Sequence, residues 1–502
     1  MPFVIGIDVG TSSTKAVLVS DEGEVIASSS VPYRYHTPRP GWVEQDPDDW
    51  WEAVCQAIRN LLQTAHKEQK VAPDDIKGIS LSGQMNGAVL TDAAGRPFRP
   101  AILWLDNRSE PQCQKVNQEK EDDLVSATGQ TLNPVNTLAK LLWIKEEEPE
   151  TYRSARWAFL PKDWIRFRLT GTATAEVSDS SATGLMHIEK RVWNEPLLSA
   201  LSLRLDWLPP LAESTDIVGA VTREAAEETG LKKGTVVGAG GGDMPCLAVG
   251  TGCIEPGIVC VGIGTAGHCT TYAETLNPVG FRKLWPMCHS VPGKYFWLGC
   301  SFTCGAALQW WSSQWDDPLE DLIGEAEKVP PGADGLFFVP WLQGSATPYP
   351  DGTARGGWLG LSLHHQRAHL TRALLEGVAF DLRQSLDTFR QVGVVISEVR
   401  IAEGGSRSPV WRQIQSDVFG SDLIVLQNPD ASVLGAAIIA GVGTGLFPDF
   451  PTACSRTVRL GETIVCDRHR AALYDQMYHI YRNLYPSLIS FFSSRYRLER
   501  SV

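Results

Sequence analysis

The chain has 502 residues, 43% of them hydrophobic and 21% charged, with a formal net charge of −13. This is a globular composition, too long for one ordinary domain, and a prior of roughly 100–250 residues per domain predicts two large ones. The acidic balance argues against nucleic-acid and anionic-membrane partners, though not against phosphate-bearing ligands, which backbone N–H groups can hold without net positive charge.

The eleven cysteines are odd in number and form no CxxC pair, so reduced thiols are expected and a zinc site is not. The opening MPFVIGID has no basic region ahead of an apolar one, which predicts no signal peptide and a cytoplasmic chain. No uncharged apolar run reaches the ~18–20 residues of a membrane span.

Residues 3–31 predict a β-meander: FVIGID, then TKAVLVS, a turn at Asp21-Glu22-Gly23, then EVIASSSV. The first strand carries Asp8, breaks at Gly10, and runs into Thr11 and Ser12. A Gly-Thr-Ser turn between strands gathers N–H groups and hydroxyls in one concave place, which makes a phosphate cradle. An acid two residues before it could serve a magnesium ion holding ATP phosphates. The plainer alternative is a hairpin turn that happens to follow an Asp.

A helix is predicted after Asp46, an N-cap followed by Pro47, with Trp50, Val54, Ile58 and Leu61 at helical spacing. IKGISLSG is the next strand, and the alternation favours an α/β fold. LSGQMNGAVL (81–90) and PAILWLDNRS (100–109) read as strands ending in polar residues. Gln84, Asn86, Asp106 and Arg108 can hydrogen-bond sugar hydroxyls, and Met85 and Trp104 offer apolar faces. Polar loop residues after buried strands would look the same.

In GTVVGAGGGDMPCLAVG (234–250) a strand ends in Gly240-Gly241-Gly242 and Asp243 opens a predicted helix. The positive helix end would favour an ionised carboxylate, as proton abstraction from a sugar hydroxyl requires. An ordinary N-cap Asp is the alternative. GAGGGD lacks the third glycine of a dinucleotide fingerprint, and no GxxxxGK[ST] occurs.

GIVCVGIGTAGHCTTYA (257–273) repeats the opening hairpin, with Gly264-Thr265 under Gly10-Thr11 and Gly262 under Asp8. This predicts a duplicated architecture whose second copy lacks the acid. The expected domains are 1–252, carrying the sugar-side residues and the acids, and 253–502, binding nucleotide. Later elements are a helix in HLTRALLEGVAFDLRQSLDTF, a strand EVRIAEGG, a helix in SPVWRQIQSDVFG, and a C-terminal helix pair broken at Pro486.

Taken together, these segments resemble the FGGY family of carbohydrate kinases over about residues 3–490. GIDVGTSSTK is similar to its first phosphate motif. NTLAKLLWIKEEEP and GGWLGLSLHHQRAHLTRALLEG are similar to its two signatures. EGGSRSPVWRQIQSD and GCSFTCGAALQWW are similar to its nucleotide-side segments. The resemblance implies a two-domain, duplicated ribonuclease H-like (actin–hexokinase) fold closing over a catalytic cleft, with ATP and Mg2+ as cofactors. It implies Asp243 as catalytic base and Asp8 as the metal-side acid, both near Mg2+. Gly10, Thr11, Ser12, Lys15, Gly264, Thr265, Gly305, Gln309, Gly404, Gly405 and Ser406 would serve the nucleotide. Gln84, Met85, Asn86, Trp104, Asp106, Arg108, Asp243 and Met244 would serve the sugar. A homodimer is compatible with the family, and no residue pattern demands one.

Within the family, GWVEQDPDDWW, GQMNG, PAILWLDNR and LPKDWIRFRLTG look like the xylulokinase branch, which makes D-xylulose the first expectation. That branch usually has His where Asn86 stands and Asn where Met244 stands. Another ketopentose, a tetrulose, a polyol or gluconate therefore stay open. A sugar-binding regulator and a chaperone-like ATPase share the fold. The acids Asp8 and Asp243 argue against the first, and the polar set around 82–108 against the second.

Overall fold

A computed structural model describes residues 1–315, 317–427 and 430–499. The chain divides into two compact units. One comprises Met1–Ile254, Pro286–Phe296 and Asp430–Val458, the other Glu255–Trp285, Trp297–Pro429 and Arg459–Val502. The division expected at 252/253 is thus crossed by two segments from the second half. The reason is packing: the helix Ala431–Gly443 lies against the strand Phe3–Val9 of the first sheet.

The first unit is built on a six-stranded sheet. Its order is Ile217–Ala220, Val236–Gly238, Ile76–Gly83, Phe3–Val9, Ser13–Ser20, Val25–Pro32. Phe3–Val9 pairs antiparallel with Ser13–Ser20 and parallel with Ile76–Gly83, which places Lys15 and Ser82 on either side of Asp8. Alternate residues of this strand go to opposite faces. Phe3, Ile5, Ile7 and Val9 pack with Trp50, Val54 and Ile58 of the helix Pro47–Gln69. Val4 packs with Val433, Ala436 and Ala437 of the helix Ala431–Gly443. Both faces are covered, as a mostly apolar strand requires. Asp46 caps Pro47–Gln69 by accepting the amide of Asp48, as its position predicts.

Glycines set the closest approaches. A Cβ on Gly6 would lie 2.3 Å from the Val433 carbonyl oxygen. The helices Asp243–Gly250 and Ala431–Gly443 press backbone to backbone: a Cβ on Gly250 would meet the Ala431 oxygen at 1.9 Å, and one on Gly435 the Cys246 oxygen at 1.9 Å.

In the second unit, Ile258–Ile263 pairs antiparallel with Gly267–Ala273 and parallel with Glu398–Ala402, which is followed outward by Leu423–Leu426 and Leu460–Ile464. This repeats the start of the first sheet. Gly262 stands between His268 and Ala402, where the first copy has Asp8 between Lys15 and Ser82. The helix Arg367–Gln391 runs through the core of this unit, burying Leu374, Val378, Phe380 and Phe389. The C-terminal helices are Arg468–Tyr481 and Leu484–Glu499. The break falls before Leu484 rather than at Pro486, because a proline fits the first turn of a helix, where no N–H is needed. No helix among the described residues is long and apolar enough to cross a membrane.

Candidate functional site

In the first unit, the strand end carries a paired acid. Because Asp8, Lys15 and Ser82 are register partners, their side chains share one face of the sheet. Ser82 Oγ donates to Asp8 Oδ1 at 2.6 Å. Lys15 Nζ is ion-paired with Asp430, at the N-cap of the helix Ala431–Gly443. Burial raises the Asp8 pKa above the ordinary carboxylate value, and Asp430 adds to this. The Ser82 hydrogen bond and Lys15 pull it back in part.

Asp243 is the first residue of the helix Asp243–Gly250, and its Oδ1 accepts the Met244 amide at 2.8 Å. The helix-end N–H contribution expected from the sequence is present, but it does not dominate. Burial, then the charges of Asp8 and Asp179, hold the Asp243 carboxyl well above the usual range. Burial and the neighbouring acids thus act against the ionised form that the helix position favours. A buried carboxylate whose pKa a neighbouring carboxylate raises is suited to share a divalent cation with that neighbour. No group of three or more His, Cys, Asp or Glu among the described residues could hold a metal alone. Magnesium commonly takes one or two carboxylates and completes its shell with water and phosphate, so Asp8 and Asp243 fit that ion.

The Gly10–Ser12 turn is held by a network that the sequence did not reveal. Thr11 Oγ1 donates to Gln84 Oε1 at 3.2 Å and accepts from Trp104 Nε1 at 3.1 Å. Gln45 Nε2 donates to the Thr11 carbonyl at 2.8 Å, and Tyr33 OH to the Gly10 carbonyl at 2.6 Å. Gln84 Nε2 serves Gly10 O and Gln45 Oε1, and Trp50 Nε1 also reaches Gln45 Oε1.

Three residues expected on the sugar are occupied elsewhere. Gln84 is buried and its amide is spent on the turn. Asp106 accepts from Arg108 N and Nε through Oδ1, and from Val43 N and Arg108 Nη2 through Oδ2. Arg108 is also paired with Glu44 at 2.7 Å and stacked 3.7 Å from the Trp42 ring centre. These residues brace the loops, and Trp104 keeps only its half-exposed ring face free.

Met85 packs against the glycine that precedes Asp243: a Cβ on Gly242 would lie 2.6 Å from Met85 Sδ. Asn86 adopts φ +63°, is 4% exposed, and its Oδ1 has no hydrogen-bond partner. A buried acceptor of this kind is costly unless something donates to it.

The second unit holds a cavity of about 690 Å³ lined by Gly264, Thr265, Gly305, Gln309, Gly404 and Gly405. Gly305 N donates to Gly264 O at 2.9 Å, while Cys304 N and Ala306 N reach Thr265 O. A Cβ on Gly305 would meet Gly264 O at 2.2 Å, and one on Gly405 the Ile263 Cβ at 2.5 Å. The turn, the start of the helix Gly305–Ser312 and the Gly404–Gly405 loop therefore meet with no room for side chains. Leu308, Ile323, Pro409 and Val410 add apolar walls. Ser406 Oγ donates to the Glu403 carbonyl at 2.7 Å. The family resemblance pointed to Gly305, Gln309, Gly404 and Gly405, whereas Ile323 carried no signal.

The family profile for the N-terminal domain of FGGY carbohydrate kinases matches residues 3–250, and that for the C-terminal domain matches 266–444. The chain is 34% identical to the xylulose kinase of Bacillus subtilis over 97% of both chains. It is 30% identical to that organism's gluconokinase over 89% of each. The solved xylulose kinase from Rhodospirillum rubrum, 32% identical, superposes with a TM-score of 0.90 and covers 98% of this chain and 100% of its own.

Proposed function

The chain belongs to the FGGY family of carbohydrate kinases, and we propose that it transfers the γ-phosphoryl group of ATP to D-xylulose, giving D-xylulose 5-phosphate and ADP. The observation that carries this reading is the Asp8–Asp243 acid pair, with Met85 packed on the glycine before Asp243 and the next residue, Asn86, keeping a buried Oδ1 without a partner. A raised carboxyl pKa makes Asp243, once ionised, a stronger base toward a sugar hydroxyl than an ordinary aspartate.

The hydroxyl proton passes to Asp243 as the hydroxyl oxygen bonds to the γ-phosphorus. The bond from that phosphorus to the bridging oxygen breaks, and ADP leaves with its electron pair. Mg2+ bound at Asp8 and Asp243 would supply charge neutralisation on the phosphates. Gln45, Gln84 and Trp104 keep the Thr11 turn in one shape, so its N–H groups are pre-organised for phosphate. The glycine-walled cavity of the second unit suits a nucleotide, with apolar Leu308, Ile323 and Pro409 for the base. Asn86 Oδ1 suits a sugar hydroxyl as donor, and its unmet capacity would penalise a sugar that lacks one there.

ADP release with ATP and Mg2+ across D-xylulose, D-ribulose, L-xylulose, L-ribulose, erythrulose, glycerol and gluconate tests this. Strong stimulation by D-xylulose is expected. Stimulation by gluconate in its place would move the substrate toward the gluconokinase relatives, and no stimulation by any of them would overturn the kinase reading.

A further inference from the structure

Behind the turn that leads into Asp243 lies a charged cluster that phosphoryl transfer, as described above, leaves unused. Lys162, Asp163 and Arg166 come from the helix Pro161–Thr170, and Glu176 and Asp179 from the segment that follows. None is more than 2% exposed. Lys162 Nζ lies 2.7 Å from Asp163 Oδ1, 3.1 Å from Asp179 Oδ2 and 3.7 Å from Glu176 Oε2. Arg166 Nη1 lies 2.9 Å from the same Asp163 oxygen. Buried ion clusters are expensive, and well-packed apolar residues often stabilise a fold as well or better. Stability alone does not explain these five charges.

Their other contacts show what they hold. Arg166 donates to the carbonyls of Ala239 and Thr174. Glu176 Oε1 accepts from Ser214 Oγ at 2.7 Å, and the Ser214 carbonyl accepts the Gly240 amide at 3.0 Å. The connections close a ring: Arg166, Asp163, Lys162, Glu176, Ser214, then the backbone of Gly240 and Ala239, and back to Arg166. Ala239 and Gly240 begin the Gly240–Gly242 turn from which Asp243 projects. Gly240 has φ +82°, and a Cβ there would come within 2.1 Å of Leu81 O. A run of three glycines has little stiffness of its own, so its shape must be imposed from outside.

We propose that this ring positions Asp243: Arg166 and Glu176 grip adjacent residues of the glycine turn and thereby fix where the carboxylate sits. The inference rests on reading Asp243 as the base. Arg166 and Glu176 act only through the turn.

The test combines steady-state kinetics per active site with amide hydrogen exchange over residues 239–246, using Arg166→Met, Arg166→Lys and Ser214→Ala. Arg166→Met is expected to lower kcat on the order of ten- to a hundredfold, since misplacement of a catalytic group by about 1 Å costs that much. KM for sugar and for ATP should move less than about threefold, and Arg166→Lys should recover part of kcat. Exchange should quicken at residues 239–246. Should Arg166→Met fail to fold, Ser214→Ala removes one hydroxyl and decides alone. Unchanged kcat and unchanged exchange in Ser214→Ala and in every folded Arg166 variant would overturn the proposal. If Asp243→Ala kept full turnover, the base assignment would fall, and the exchange result would still decide whether the ring holds the turn.

Discussion

Gly242 and Met85 are in contact at a point where neither can grow: a Cβ on residue 242 would lie 2.6 Å from the Met85 sulfur and 2.7 Å from its Cγ. The Met85 side chain and the backbone that carries Asp243 are thus one packed unit. Gly242→Ala should push Met85 out of place, at a stability cost of about 1–3 kcal/mol typical of overpacking. The sugar KM should rise and kcat should fall, while nucleotide affinity, measured by equilibrium binding of ADP, stays near wild type.

Removing the carboxylate should separate chemistry from folding. Asp243→Asn is expected to lower sugar-dependent ADP release by roughly 10²–10⁴-fold, the usual contribution of a positioned base. It should also raise the melting temperature near pH 7.5, because a buried acid beside Asp8 and Asp179 gives way to a neutral amide. Withholding Mg2+ should silence the wild-type protein, and Asp8→Asn should raise the Mg2+ concentration needed for half-maximal rate.

Asp179 supplies a pH test. Burial first, then Asp163 and Glu176, push its pKa up to about 7, against the pull of Lys162. The folded state therefore binds this proton more tightly than the unfolded chain does. Its contribution is most favourable below the ordinary carboxylate value, falls as pH rises, and levels off above about 7. Asp179→Asn should gain melting temperature relative to wild type as pH goes from 5 to 7.5. Parallel curves for the two proteins would contradict this.

Nucleotide binding should depend on the absence of one methyl group. In Gly305→Ala the new Cβ would sit 2.2 Å from the Gly264 carbonyl oxygen, which is backbone and cannot swing aside. The Gly264–Thr265 turn must move. ADP affinity measured by calorimetry should drop about tenfold or more, for a shift of ~1.4 kcal/mol, with sugar binding intact.

How far the residues spoke for themselves varies with contact range. The two Gly-Thr hairpins, the Asp46 cap and Asp243 at a helix start are local features, written within a few positions, and the sequence shows them. Gln84, Asp106 and Arg108 looked like sugar ligands because their chemistry allowed it. Their donors and acceptors are in fact spent on Thr11, Gln45, Val43, Glu44 and Trp42. Asp106 and Arg108 meet two positions apart, but these other partners lie tens of positions away, which no local pattern encodes. The same holds for Glu176 meeting Ser214, and for Arg166 reaching Ala239.

The lodging of Ala431–Gly443 against Gly6, and of its Gly435 against Cys246, bears on how the protein is made. A ribosome releases Phe3–Val9 long before it releases the helix that covers Val4. Until then one side of the first sheet is bare and apolar, a condition that invites aggregation. A fragment ending at Ile254 should therefore be poorly soluble when expressed alone. Supplying residues 430–458 as a separate peptide should rescue it. The nascent chain must wait for its final quarter before its first strand is fully enclosed.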